Sequence, residues 1–104
     1  MNLVLNYEGF EDCLTFKFVY EDAECGYYEF QFDNGYGASV LKQTGSIACE
    51  QDLWKVKVRE YNNQLQKWTL SSKNPFTGRG TLLGRNCSDE DVQMLLGLIK
   101  NYSY

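Results

Sequence analysis

The amino-acid sequence predicts an α+β fold, in which an antiparallel meander of about six strands carries one C-terminal helix across its aromatic face. Alternation of apolar and polar residues dominates the first 71 residues, short turn sequences interrupt it, and an apolar stripe with helical spacing follows near the end of the chain. The chain has 104 residues, of which 43% are hydrophobic. This size and composition predict a single domain over residues 1–104.

The alternation assigns the strands and the side chains that they bury. The apolar residues at alternate positions are Leu14, Phe16, Phe18 and Tyr20 in one run, Tyr28, Phe30 and Phe32 in the next, and Trp54, Val56 and Val58 in a later one. The segment LQKWTL is a weaker strand. We expect the turn EDAECG to join the second and third strands and YNNQ to close the last pair.

Two glycines in the stretch DNGYGASV, residues 33–40, could bind a phosphate or turn the chain. A phosphate-binding glycine loop leads from a strand into a helix, whose N-terminal amides hold the anion. This stretch leads into another strand. We therefore predict a type I′ hairpin with positive φ at Asn34 and Gly35, and a bulge or a close backbone approach at Gly37.

The C-terminal helix has a clear start. Ser88 can cap it, and Asp91 three residues later completes a capping-box pattern. The apolar stripe that follows predicts a helix of roughly 12 to 15 residues, and it consists of Val92, Leu95, Leu96, Ile99 and Tyr102. Residues 72–86, before the helix, are predicted to form one long irregular loop, and such loops are often functional.

The residue types for most catalytic chemistry are missing. The chain has no histidine, so it lacks the commonest general base and metal ligand. Its four cysteines form no C-x-x-C pair and are interpreted as free thiols: Cys13, Cys25, Cys49 and Cys87. Cys87 before the helix could be a reactive thiol, although a bystander is the simpler interpretation. We predict no catalytic residue, no metal site, no cofactor and no enzymatic activity.

Charge is distributed unevenly along the chain. Residues 1–52 sum to −8 and residues 53–104 to +4. The acidic balance disfavours direct nucleic-acid binding and favours a basic protein surface as partner. The predicted partner-binding residues are Glu11, Asp12, Glu21, Asp22 and Glu24 in acidic turns at one end of the sheet, with Tyr27 and Tyr36 as aromatic anchors. The alternative interpretation of these acids is a solvated rim.

A second set of residues could bind an anion. Lys55, Lys57 and Arg59 lie on the polar side of a strand, where lysines also serve to prevent sheet aggregation. Arg79 and Arg85, with the amides of Gly78 and Gly80, could hold an anionic signalling nucleotide.

Two segments, FDNGYGASVLKQTGSIACEQDLWKVKV and LLGRNCSDEDVQMLLGLI, resemble a widespread group of small, uncharacterised bacteriophage-type proteins. The likeness covers about residues 30–100, and the N-G-Y-G-A-S-V hairpin is its most specific part. The chain departs from the group in NPFTGRGTL, which carries Arg79 where the group tends to be acidic. The resemblance implies a phage or prophage origin and no known catalytic residues.

The leading prediction is a phage-encoded, non-enzymatic protein that binds and inhibits a host protein. By analogy alone, the target is a nucleic-acid-handling defence complex, as for an anti-CRISPR or other anti-defence inhibitor. The alternatives are a binder that sequesters a signalling nucleotide and a minor virion structural or assembly protein. With no long apolar run, we expect no membrane contact and the cytoplasm of the infected host as location. Pairing of a sheet edge into a homodimer stays open.

Overall fold

The computed structural model describes residues 3–22, 24–43, 53–78 and 80–103. After a 3-10 turn at Glu11–Cys13, the chain forms β1 (Leu14–Tyr20), β2 (Cys25–Gln31), β3 (Tyr36–Gln43), β4 (Trp54–Asn62), β5 (Lys67–Leu70), β6 (Leu82–Cys87) and α1 (Asp89–Lys100). All strand pairs are antiparallel, in the order β1-β2-β3-β4-β5, and β6 also pairs with β4. The predicted α+β fold with a C-terminal helix is confirmed.

Helix α1 packs on one face of the sheet, which we call the inner face. Val92, Leu96 and Ile99 of the helix are fully buried. They meet the aromatic and β-branched residues that the alternation predicted, namely Tyr28, Phe30, Phe32, Trp54, Val56 and Val58. Burying such a side chain contributes about 1.5–3 kcal/mol, so this interface stabilises the fold.

Both ends of α1 are tied to the sheet. Ser88 and Asp91 form the predicted capping box, and the indole N–H of Trp54 donates to Asp89 Oδ1 at 2.6 Å. At the other end, Asn34 Nδ2 donates to the carbonyl oxygens of Ile99 (2.7 Å) and Tyr102 (2.9 Å). Ile99 O is one of the last four carbonyls of the helix, which have no intrahelical partner, and Tyr102 lies just beyond the helix end. The β2–β3 hairpin therefore caps the helix.

The hairpin turn differs from the predicted type. Gly35 has φ 85°, but Asn34 is not in the positive-φ region, so the type I′ prediction is wrong. The Gly35 N–H donates to Phe32 O and Phe32 N–H to Tyr36 O, as in a type I turn followed by a left-handed glycine. At Gly37 the predicted close approach is confirmed, because a Cβ there would overlap Phe30 O.

The sequence predicted that four residues of β1 face the core, and this prediction is wrong for three of them. Leu14 pairs with Phe30 on the inner face, but a register shift between Leu14 and Phe16 sets Phe16 opposite Glu29. One extra residue moves every following side chain to the other face of a sheet. Phe16, Phe18 and Tyr20 consequently point away from α1.

Two further boundaries were placed wrongly. Residues 3–10 contain no strand, so EDAECG joins the first and second strands of the sheet. The predicted loop 72–86 is interrupted by β6, which begins at Leu82 and pairs with β4. Gly84 of β6 is closely packed, because a Cβ there would lie 2.9 Å from Cys87 Sγ and from Leu95 Cδ1, and these side chains would have to shift. A glycine that permits close packing of a helix was taken for a loop signal.

The N-terminal segment lies against the same core. Leu3 and Leu5 are buried, and the Tyr28 hydroxyl accepts from Leu5 N–H and donates to Leu3 O, both at 3.1 Å. Gln93 of α1 donates to Asn6 O at 2.8 Å. In the ranges described here, no helix is long and apolar enough to cross a membrane.

Replacing Asn34 tests the cap. Asn34→Ala removes a donor to Ile99 O, which also accepts from the Tyr102 N–H, and a donor to Tyr102 O. We expect it to lower the free energy of unfolding by about 1–2 kcal/mol in denaturant titrations. Asn63→Ala, in the exposed β4–β5 turn, is the control and should change it by less than about 0.5 kcal/mol. Equal effects of the two variants would contradict the capping role.

Candidate binding surface

The side of the sheet that faces away from α1, which we call the open face, carries aromatic residues where polar ones are usual. Phe16, Phe18 and Tyr20 of β1 are 49%, 47% and 48% exposed. Phe16 packs edge-on against Tyr27 of β2, with ring centroids 6.1 Å apart. Because a folded chain gains little from half-exposed aromatic rings, this row is a candidate contact surface.

An ion pair lies beside the aromatic row. Arg59 Nη1 is 2.6 Å from Glu29 Oε2, and the Tyr27 hydroxyl donates to Glu29 Oε1 at 2.6 Å. Arg59 Nη2 also donates to Trp68 O at 3.3 Å. Burial, followed by the hydrogen bond to Glu29 and its negative charge, raises the pKa of Tyr27 to about 12. The phenol is therefore a neutral donor at physiological pH.

A pocket of about 170 Å³ opens next to this ion pair. It is lined by Tyr27, Ser39, Leu41, Lys55, Lys57, Arg59 and Leu70. Glu29 already neutralises Arg59, whereas no carboxylate in the described part of the chain pairs with Lys55 or Lys57. The pocket therefore has apolar walls and two uncompensated positive charges, which suits an anion with an apolar body.

The predicted acidic residues do not form one patch. Glu11 and Asp12 precede β1, whereas Glu21, Asp22 and Glu24 follow it, so they lie at its opposite ends and not at one end of the sheet. All five are exposed. Hydrogen bonds from its own backbone N–H and from that of Gly9 hold the pKa of the Glu11 carboxyl below its usual range.

The other predicted residues are dispersed. Tyr36 is half-buried and packs edge-on against Tyr102 at 5.5 Å, so it supports the end of α1 rather than standing free. Arg85 is exposed on β6, and Arg79 and Cys49 lie outside the described residues. The Gly78 N–H donates to Asn74 O, so this amide is not free for an anion.

Sequence reasoning missed the open aromatic row and the role of Glu29. Phe16, Phe18 and Tyr20 alternate mostly with polar residues, as core residues do. No residue in this part of the sequence indicates the register shift that directs their side chains to the open face. Tyr27 was named from the sequence as an aromatic anchor, and it lies on the open face. Glu29 could have been found too, because it alternates with Tyr28 and Phe30 and so must lie on the opposite face.

In comparisons with known proteins, no family model, curated protein or solved structure matches the chain. Among the residues that the structure describes, no three cysteine or carboxylate side chains converge as a metal site. Cys13, Cys25 and Cys87 form no disulfide bond, and Cys87 is buried.

A spectrophotometric titration of the tyrosines tests the interaction of Tyr27 with Glu29 and Arg59. Tyr27 should ionise at about pH 12. Because the unfolded chain ionises near the usual value of about 10, stability should fall as pH rises between these values. Glu29→Gln should lower the pKa of Tyr27 by removing a charged acceptor, and the difference spectrum against Tyr27→Phe isolates this group. An unchanged Tyr27 pKa in the Glu29 variant would contradict the contribution assigned to Glu29, which is second to that of burial.

Proposed function

We propose that the chain is a non-enzymatic binding protein that holds and inhibits a host protein, with the open face of its sheet as the contact surface. The observation that carries the proposal is the row of half-exposed aromatics on β1. Aromatic side chains bury large areas with few rotatable bonds, and they dominate the energetics of protein interfaces. The fold already has a filled inner face, so its stability does not require this second row.

The neighbouring charges support a protein partner. Lys55 and Lys57 lie across the sheet from Phe18, on the same face, because Phe18 pairs with Tyr27, Tyr27 with Leu41, and Leu41 with Lys55. Aromatic residues are enriched at the centre of protein interfaces, and the rim around them is polar. For the biological setting we propose a host defence complex, and the support is the sequence resemblance to small bacteriophage-type proteins.

Substitution of the aromatic row tests the surface. Phe16→Ser with Phe18→Ser should weaken partner binding at least about ten-fold, because two anchors are lost. Met94→Ser with Leu98→Ser is the matched control, since these helix residues are 65% and 49% exposed on another surface. Binding would be measured by capture from host lysate, then by titration of the identified partner. Equal capture by both double variants would refute the proposal.

A second candidate function follows from the pocket beside Tyr27. Its two lysines without carboxylate partners and its apolar walls, Leu41 and Leu70, would suit a small anionic ligand such as a nucleotide. This candidate retains Lys55, Lys57 and Arg59 from the sequence-based set and leaves out Arg85, which lies on β6.

Thermal denaturation with a panel of nucleotides tests this candidate. A ligand at 100 times its dissociation constant should add about 2.7 kcal/mol to the free energy of unfolding. Lys55→Gln with Lys57→Gln should abolish the gain, whereas Lys67→Gln with Lys73→Gln should not. If no nucleotide of the panel raises the denaturation temperature, the nucleotide-binding function is eliminated.

A further inference from the structure

Strand β1 has a free edge. It pairs with β2 on one side only, and in the described residues no backbone or side-chain hydrogen bond reaches its other edge. A row of backbone donors and acceptors without partners is a template for an additional strand. At seven residues, Leu14–Tyr20 has the length of an ordinary strand.

Only part of the usual protection of such an edge is present here. Natural edges are blunted by proline, by lysines and inward charges, by β-bulges or by very short strands. The segment LTFKFVY has a bulge between Leu14 and Phe16 and one inward charge, Lys17, whose Nζ lies 5.9 Å from the centre of the Tyr28 ring, but it is seven residues long and contains no proline. The outward side of the same strand carries the exposed rings of Phe16, Phe18 and Tyr20. An incoming strand would therefore gain backbone hydrogen bonds and cover these rings.

The charges at the two ends of β1 define the occupant. Glu11 and Asp12 precede β1, and Glu21, Asp22 and Glu24 follow it. The seven residues of the strand between them span roughly 23 Å at about 3.3 Å per residue. No basic side chain of the described residues forms an ion pair with any of them. A strand with basic residues at both ends and apolar residues between would complement this edge in charge and in polarity.

A second copy of the chain is a poor occupant for the same reason. Antiparallel pairing of two copies about Lys17 would set Lys17 against its counterpart. It would also bring the acidic residues before β1 of one copy close to the acidic residues after β1 of the other. Like charges held close together repel each other. The acidic ends therefore repel self-pairing while attracting a basic-ended strand.

We propose that β1 binds an extended segment of the partner as an added antiparallel strand, with basic residues at both ends and apolar residues in the middle. The inference rests on the proposed function, since it names how the partner reaches the aromatic row. The acidic residues predicted from the sequence lie at opposite ends of β1. One added strand would contact both groups, so both would contribute to binding the same segment.

A peptide of about nine residues, alternating valine and threonine in its centre with two lysines at each end, serves as the probe. The intact chain should bind it at low ionic strength at least about ten-fold more tightly than a matched peptide with glutamates at the ends. Glu21→Gln with Asp22→Asn should weaken binding about five-fold or more. Glu60→Gln with Glu90→Gln, the same change in charge elsewhere, should change it by less than about two-fold.

Amide hydrogen exchange distinguishes strand addition from docking on the open face. Alternate residues of an edge strand direct their N–H groups outward. Every second amide of residues 14–20 should therefore exchange at least about ten-fold more slowly with the basic peptide bound. Equal binding of both peptides, no binding of either, or unchanged exchange in β1 would overturn the inference. If partner capture still depends on Phe16 and Phe18, the proposed function survives that failure; if it does not, both fail.

Discussion

The register shift between Leu14 and Phe16 determines what this protein presents to its surroundings. Before the shift, β1 contributes Leu14 to the core, and after it every aromatic of the strand lies on the other face. Without the shift, Phe16 and Phe18 would be directed towards an inner face that α1 and the aromatics of β2 already fill. One added residue thus converts a hydrophobic strand from a core element into a surface element.

The inner face is stable without the rings of Phe16, Phe18 and Tyr20, because α1 covers it and is hydrogen-bonded to the sheet at both ends. The Trp54 indole N–H donates a hydrogen bond to Asp89 at the start of the helix, and Asn34 Nδ2 donates one to Ile99 O at its end. Between these ties, Val92, Leu96 and Ile99 are completely buried. The result is a sheet with one closed apolar face and one open face on which aromatic rings, lysines and a Tyr27–Glu29–Arg59 cluster lie side by side. Such a division separates stability from recognition.

Features that depend on local pattern could be predicted from the sequence. The capping box at Ser88, the helical stripe and the buried faces of β2 and β4 follow from residue spacing, and all are present. The outward face of β1 could not be predicted, because a bulge leaves no mark on a run that alternates without interruption. The pairing of β6 with β4 could not be predicted either, because a glycine such as Gly84 usually indicates a loop. Its role in close packing against α1 is evident only from the structure. The binding surface was therefore harder to foresee than the fold.

The most direct test of this account is the environment of the β1 rings in the free protein, measured by nuclear magnetic resonance. Phe16 should show a nuclear Overhauser contact with Tyr27, and the ring signals of Phe16 and Phe18 should broaden strongly when a paramagnetic agent is added to the solvent. The ring signals of Tyr28 and Phe30 should not. Contacts from Phe16 to Tyr28 or Phe30, with rings shielded from the agent, would place β1 in the core and contradict the open aromatic face.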